Sequence, residues 1–453
     1  MKSFFSLLLI LFAISAVAQQ MQTARGPETV FHSVNVIPMD RQVVLPNQDV
    51  VVSEGKIIAM GKTGTVKYAR SAMIIDGKGK YLMPGLAEMH AHVPPVDDLE
   101  PMKNVAALFV LNGITTIRGM LGHPRHLELR KMLQQGEVFG PRLITSGPSF
   151  NGQSVKTPEA AAAMVRQQKE AGYDFLKLHP GLTKENFSAL AQTAKEVGIP
   201  FAGHVSFDVG VWRAIDAGYA TIDHLDGFVE ALVPAEGQTE PSNGLFGMYI
   251  AGKADTAKVP ALMAALQKNN IWVVPTQALA ERWFAPGRSA EAFRAEPEMK
   301  YMAANTLNNW VAAKNNLLKN PAYNAGDVAK LVQLRRQLIK ACQKAGVGLL
   351  LGSDAPQVFN VPGFSTHQEL QYMVDAGLSP FEALQSGTVN VGRFLNKPDL
   401  GVIKQGAVAD LLLLSANPLT NISNTKKIEG VMAGTAWFSK ADIKRELKNL
   451  EKN

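Results

Sequence analysis

Short apolar runs alternate with amphipathic helical stretches from Pro84 to residue 395, and strand-only segments flank that region on both sides. These two observations predict an α/β protein: a (β/α)8 TIM-type barrel with a small β-sandwich domain built from both chain ends. The pattern divides the chain into residues 1–18 as a signal peptide, 19–83 and 396–453 as the two halves of the β-sandwich domain, and 84–395 as the barrel.

The opening MKSFFSLLLILFAISAVAQQ has a basic start at Lys2, an apolar stretch from Phe4 to Val17, and small residues Ala16 and Ala18 spaced for a signal peptidase. The stretch is short for a membrane span and ends in a cleavage pattern. Export to the periplasm or exterior after cleavage near Ala18 is therefore expected, with no stable membrane anchor. In Val30–Tyr81, β-branched runs such as QDVVVSEGKIIAMG and AMIIDGKGKYLM are separated by glycine turns, which reads as strands without a helix.

From Pro84 onward, candidate strands end at His92, Met120, Pro148, His179, Val205, Asp226, Thr276 and Asp354. TPEAAAAMVRQQKEAG reads as a helix with Thr157 as N-cap, Pro158 at the first helical position and Gly172 at its stop. KENFSALAQTAKEVG is a second, closed by Gly198. Insertions at Glu230–Lys258 and Leu279–Lys330 follow the sixth and seventh strands, on the face where such barrels carry active sites. Trp283, Trp310, Met299 and Met302 in the second are expected to pack it onto the barrel. After Asn396 short strands return in GVIKQGAVADLLLLSANPL and IEGVMAGTAWF, so the two ends are expected to meet.

Hydrophobic content of 46% with 19% charged residues excludes a disordered chain. The net charge of +7 comes from scattered basic residues, densest over Lys440–Lys452. That run lacks aromatic interleaving and reads as a solvated helix face, not a nucleic-acid site. The single cysteine, Cys342, excludes an intramolecular disulfide, and its helical setting predicts burial. A small-molecule substrate is the expected partner, and assembly of identical subunits is compatible with the sequence.

Chemistry concentrates at the strand ends. In PGLAEMHAH, His90 and His92 are two apart on a strand, so both imidazoles face one way and can share a metal ion. Lys177, His204, His224 and Asp354 follow at the ends of the fourth, fifth, sixth and eighth strands. Four of the chain's nine histidines occupy such positions. Burying them as structural groups would require four separate hydrogen-bond partners, so a metal site is the better reading. His179, on the strand face of Lys177, competes for a place near the site. His367 is a further candidate for reaching it, although a histidine at a helix start is commonly polar surface. Arg118 is a candidate for a substrate carboxylate, beside His123 and His126.

PGLAEMHAH, LNGITTIRG, DFLKLHPGLTKENFSAL, GHV, IDHLDG, GSDAP, DAGLSPFEAL and GVIKQGAVADLLLLSANPL occur in an order that resembles the amidohydrolase superfamily, close to its imidazolonepropionase-like and prolidase-like secreted branch. The resemblance covers nearly all of the chain after the leader. It implies a metal-dependent hydrolase of carbon–nitrogen bonds with two divalent ions, zinc foremost. His90, His92 and Asp354 would hold one ion, His204 and His224 the second, and Lys177 would bridge them as a carbamate formed with CO2. Two such ions favour hydroxide over water, with Asp354 moving the proton and His224 or a loop donor assisting at the oxyanion. The dipeptide and N-acyl amino acid classes suit this chemistry. A mononuclear deaminase, a cyclic-amide or lactone hydrolase and a non-catalytic binding protein remain as alternatives. Glu88 departs from the usual aspartate before the histidine pair, and Asp223 and Leu225 alter the usual Glu-His-Gly around His224, which puts fine tuning in question more than activity.

Overall fold

A computed structural model describes residues 27–236, 238 and 243–452. The expected signal peptide lies outside the described residues. Strands β1 (Glu28–Val36), β2 (Leu45–Ser53), β3 (Lys56–Lys62), β4 (Met73–Asp76) and β5 (Tyr81–Pro84) open the fold. Short parallel strands follow: β6 (Leu86–Ala91), β7 (Ile114–Gly119), β8 (Arg142–Thr145), β9 (Leu176–Leu178), β10 (Phe201–Gly203), β11 (Thr221–Asp223) and β12 (Trp272–Val274). The chain closes with β13 (Leu411–Leu414), β14 (Ile428–Ala433) and β15 (Ala436–Ser439).

The two ends meet as the alternating runs require. β13 pairs antiparallel with β5, Leu412 opposite Met83 and Leu413 opposite Leu82, and one eight-stranded sheet runs β15-β14-β13-β5-β1-β2-β3 with β4 beside β1. A single sheet thus describes the strands for which a sandwich was expected. Its apolar face is Phe31, Val34, Val36, Val50, Leu82, Leu411 and Leu413, all buried.

The parallel strands form two sheets, β6-β7-β8 and β9-β10-β11-β12. Single parallel bridges join them: Ser146 to Phe175 and Phe150 to Leu178 on one side, Val273 to Leu349 and Ala91 to Ala355 on the other. The eighth expected strand, ending at Asp354, is not a regular strand. Met89 N–H donates to Leu351 O at 2.7 Å, but Ser353 N–H turns to the Glu88 carboxylate at 2.6 Å. Gly352 permits that approach, since a Cβ there would lie 2.9 Å from His90 N.

The helices form where caps and periodicity put them. Pro158–Glu170 begins with Thr157 Oγ1 accepting from Ala160 N–H, and Lys184–Val197 with Thr183 accepting from Asn186 N–H. Gly198 ends the latter at φ +64°, a conformation that costs glycine no Cβ clash. Phe187 of this helix packs on Phe201 and Tyr219, and Tyr219 Oη donates to the carbonyl of His204 at 2.9 Å, which carries core packing straight to a candidate ligand.

In the second insertion, Met299, Leu307 and Trp310 are buried with Phe293, Val358 and Phe359, and Trp283 and Met302 pack against them. The packing role expected of these residues is what the fold uses them for, and they support the loop after Asp354. Cys342 is buried, as expected, its Sγ 3.6 Å from Met263 Sδ. The basic C-terminal run is largely helical, over Lys440–Asn449, with Ser439 and Asp442 as a capping box and Ile443 as its buried residue. Among the described residues no helix is long and apolar enough to cross a membrane.

Because β13 covers one edge of β5, a chain ending at Asn396 would expose Leu82 and Met83 together with an unpaired strand edge. Each fully buried side chain of this kind is worth roughly 1.5–3 kcal/mol, and bare edges promote association. The truncated chain should be insoluble by sedimentation. A soluble product as stable as the full chain would refute the two-ended domain.

Candidate active site

The site is built on the C-terminal ends of the parallel strands. β6 carries Glu88 and His90 inward, with His92 just past its end. Glu88 is fully buried and accepts from Ser353 N–H, Ser353 Oγ at 2.8 Å, Thr366 Oγ1 at 2.8 Å and His90 N–H at 3.3 Å. It therefore fastens the Asp354 segment to the strand of the histidine pair.

Asp354 is the centre of the cluster. Its Oδ1 lies 2.6 Å from His92 Nε2 and 3.6 Å from His90 Nε2, and its Oδ2 is 3.9 Å from His224 Nδ1. Burial opposes its ionisation, but the neighbouring His90, His92 and Lys177 outweigh burial and hold the carboxyl well below the usual range. Ligand atoms of His90, His224 and Asp354 all lie within 4.8 Å of one another. The ring centroids of His90 and His224 are 4.4 Å apart, as are those of His204 and His224.

Three of these imidazoles are held from behind. His90 Nδ1 lies 2.9 Å from Asp223 Oδ2, His204 Nδ1 is 3.0 Å from Asp226 Oδ2, and His224 Nδ1 is 2.9 Å from Thr276 Oγ1. Metal-binding histidines are commonly oriented this way, which leaves Nε2 as the ligand atom. Burial, then the charge of Lys177, pull His90 down to about 3. His224 is likewise pushed well below its ordinary value, first by burial and then by His204 and His90. His90 and His224 are accordingly neutral and have lone pairs to give.

Lys177 lies inside β9, fully buried, and its Nζ has no hydrogen-bond partner. Burial pulls its pKa down to about 8 against the opposing pull of Asp223 and Asp354. A Cβ at position 203 would stand 2.9 Å from Lys177 Cδ and 3.1 Å from Nζ, so Gly203, at φ +124°, leaves the amine its space. His224 Nε2 is a second buried atom without a partner. An anion or cation shared by these groups answers both, so the donor set fits divalent metal ions.

The structure thus brings His90, His92, Lys177, His204, His224 and Asp354 to one end of the parallel strands, along with His179, whose ring stacks on His204 at 5.1 Å. Other candidates lie elsewhere. Arg118 is buried, donates through Nε to Met89 O at 2.7 Å, and pairs through Nη2 with Asp223 at 3.3 Å; its donors are turned to the core and not to a substrate carboxylate. His367 is fixed between Thr425 Oγ1 and Asn112 O, each at 2.9 Å, and is a core group. His126 bonds Pro94 O at 3.1 Å, and His123 sits 3.7 Å from Asp97. Sequence reasoning missed Asp223, Asp226 and Thr276 as orienting groups. The two acids flanking the histidine in TIDHLDG were the available signal.

Residues 81–436 match the model of the Amidohydrolase family. The ochratoxinase of Aspergillus niger is 24% identical over 429 residues, 88% of this chain and 84% of that protein. Among solved structures, a bottromycin amidohydrolase superposes with a TM-score of 0.70 at 22% identity over 94% of this chain and 90% of its own. A Xaa-Pro dipeptidase with methionine in its active site gives 0.67 at 20% identity over 91% of this chain and 100% of its own. At these identities the structural likeness speaks for the fold, which is of TIM-barrel type. The family match spans most of the chain and every residue of the site, so this chain belongs to the amidohydrolase family and is a hydrolase acting on carbon–nitrogen bonds.

Proposed function

We propose that this chain is an exported two-metal amidohydrolase that cleaves an amide or peptide-like bond in a dipeptide or an N-acyl amino acid. The observation that carries the reading is the fully buried, unpartnered amine of Lys177 at the site of the histidines and Asp354. On this reading the closed (β/α)8 barrel spans 84–395, supported by the parallel bridges between its sheets. The small β-domain takes 19–83 and 396–453, supported by the pairing of β5 with β13.

His90, His92 and Asp354 would hold one ion and His204 and His224 the other, with zinc as the metal suited to imidazole and carboxylate donors. An ammonium has only donors and cannot ligate a cation. Lys177 therefore serves as its carbamate, formed when the neutral amine adds CO2 and releases a proton. The ions, when bound, supply Lewis acidity that promotes ionisation of water and polarises a carbonyl. Asp354, held ionised, accepts the proton of the attacking water as the carbon–oxygen bond forms. It delivers that proton to the leaving nitrogen as the carbon–nitrogen bond breaks. A second reading, one ion with Lys177 idle, is favoured by the tight grouping of only His90, His224 and Asp354 among the described residues. That arrangement suits a deaminase or a cyclic-amide hydrolase.

Export from the apolar leader predicts a mature chain starting at or near Gln19. Recovery of Met1 by N-terminal sequencing of protein from its native host would exclude it.

Lys177 decides between the two metal readings. Lys177→Ala should lose activity by more than about 100-fold together with the second metal, and Lys177→Arg should not restore it, because a guanidinium cannot become an anionic ligand. A short carboxylic acid in solution should partly rescue the alanine variant. Elemental analysis giving one metal per chain in the parent, unchanged by bicarbonate, or near-normal turnover of Lys177→Ala would transfer the assignment to the mononuclear reading.

Asp354→Asn should abolish turnover on dipeptide and N-acyl amino acid panels while keeping much of the metal, since it removes the proton acceptor more than the cage. Measurable turnover at the parental rate would remove Asp354 from proton transfer.

A further inference from the structure

His179 differs from every other imidazole of the cluster. His90, His204 and His224 each have a side chain behind Nδ1, and His92 has Nε2 2.6 Å from Asp354. His179 has no such partner. Its Nδ1 is buried without a hydrogen bond, although its backbone N–H is fixed to Phe150 O at 2.8 Å and its carbonyl accepts from Ser206 Oγ at 3.4 Å. The main chain is held and the ring is not. The ring lies against His204, centroids 5.1 Å apart and planes 28° apart, on the strand face it shares with Lys177.

A buried polar atom left without a partner costs roughly 1–3 kcal/mol, so a group that meets it recovers that cost. His179 is half-buried with its Nδ1 enclosed, so the group that meets this nitrogen is one that enters the cluster. A metal ion is the poorer candidate, because a ligating imidazole ordinarily gives its other nitrogen to an orienting group. A substrate oxygen is the better one. Lys177, His204, His92 and His90 all lie near His179, so an oxygen that meets its ring stands beside the proposed ligand set. His224 cannot serve in this way: with Nδ1 on Thr276 and Nε2 assigned as a ligand, it has no N–H left to give.

We infer that His179 is a substrate-contacting residue whose imidazole N–H donates a hydrogen bond to the oxygen of the scissile carbonyl. The inference rests on the proposal that an amide is brought to this cluster, and it departs from the expectation that His224 or a loop donor assists there. No bond to His179 forms or breaks; the donor stabilises charge as the carbonyl becomes tetrahedral.

The test uses the full-length zinc-reconstituted protein with methylphosphonate, a tetrahedral oxyanion, as probe. His179→Ala should keep the parental zinc content and bind methylphosphonate about 10-fold or more weakly by calorimetry. It should lower kcat by roughly 100-fold with little change in KM. His179→Gln, which retains an N–H, should recover part of both losses. Equal methylphosphonate affinity in parent and His179→Ala, or loss of zinc from His179→Ala, overturns the inference, the latter by making His179 a ligand. A parent that binds zinc and methylphosphonate but turns over no amide would instead defeat the proposed function, and the affinity comparison would still decide the role of His179.

Discussion

An imidazole has two nitrogens, and this site depends on what holds the one that faces away. Asp223, Asp226 and Thr276 take that part for His90, His204 and His224. Asp223 is itself held, by Arg118 at 3.3 Å and by Thr221 Oγ1 at 2.6 Å. Burial works against the charge of Asp223, but Arg118 and His90 prevail and keep it well below the ordinary carboxylate range. Such a buried pair is unforgiving: removing one partner costs about 3–5 kcal/mol, against a total stability of about 5–15 kcal/mol. The rigidity of the ligand set is therefore inherited from the core, through Arg118 and its bond to the Met89 carbonyl in the strand of the histidine pair.

The same core restrains strained backbone. His224, Leu225, Thr276 and Asp354 are non-glycine residues at φ +64°, +56°, +48° and +65°. Each such residue costs on the order of 1–3 kcal/mol and persists only where its surroundings over-determine it. Arg335 provides much of that restraint. From the helix Ala325–Ala345 its buried guanidinium donates to the carbonyls of His224 and Pro275 and to Gln277 Oε1 at 3.0 Å. Glu369 accepts from Gln277 N–H at 2.9 Å and from Ala278 N–H. Glu88 does the equivalent for Asp354. Of the twelve non-glycine residues at positive φ among the described residues, two are thus proposed ligands, one is the neighbour of a proposed ligand and one is an orienting partner.

What was legible in the sequence followed from local rules. Thr157 with Pro158, and Gly198, mark helix ends because caps act within one turn. The strand-end residues were legible because parallel strands deliver their last side chains to one place. Partnerships through space were not. Thr276 is 52 residues from His224, and nothing in VVPTQAL announces that its hydroxyl is the orienting group. Arg118 reads as a substrate contact because arginine favours carboxylates, and the carboxylate it meets is internal. The eighth strand looked regular because LLLGSDAP is apolar and short, whereas Leu351 N–H donates to Ser386 O and Ser353 N–H to Glu88, a side chain on another strand.

Charge explains why Lys177 is the residue on which the reading turns. Burial keeps His90 and His224 neutral, so as an ammonium Lys177 places a full positive charge among the groups proposed to attract divalent cations. That charge would repel them at short range, and low-dielectric surroundings would magnify the repulsion. Burial without a partner already disfavours the ammonium, which moves the equilibrium toward the neutral amine that CO2 can modify. The proposed carbamate would reverse the sign at that point and would add an anionic donor to the proposed ligand set. On that proposal the space left by Gly203 has a chemical purpose: a side chain there would crowd the lysine terminus, 3.1 Å from its Nζ, where the added group would sit.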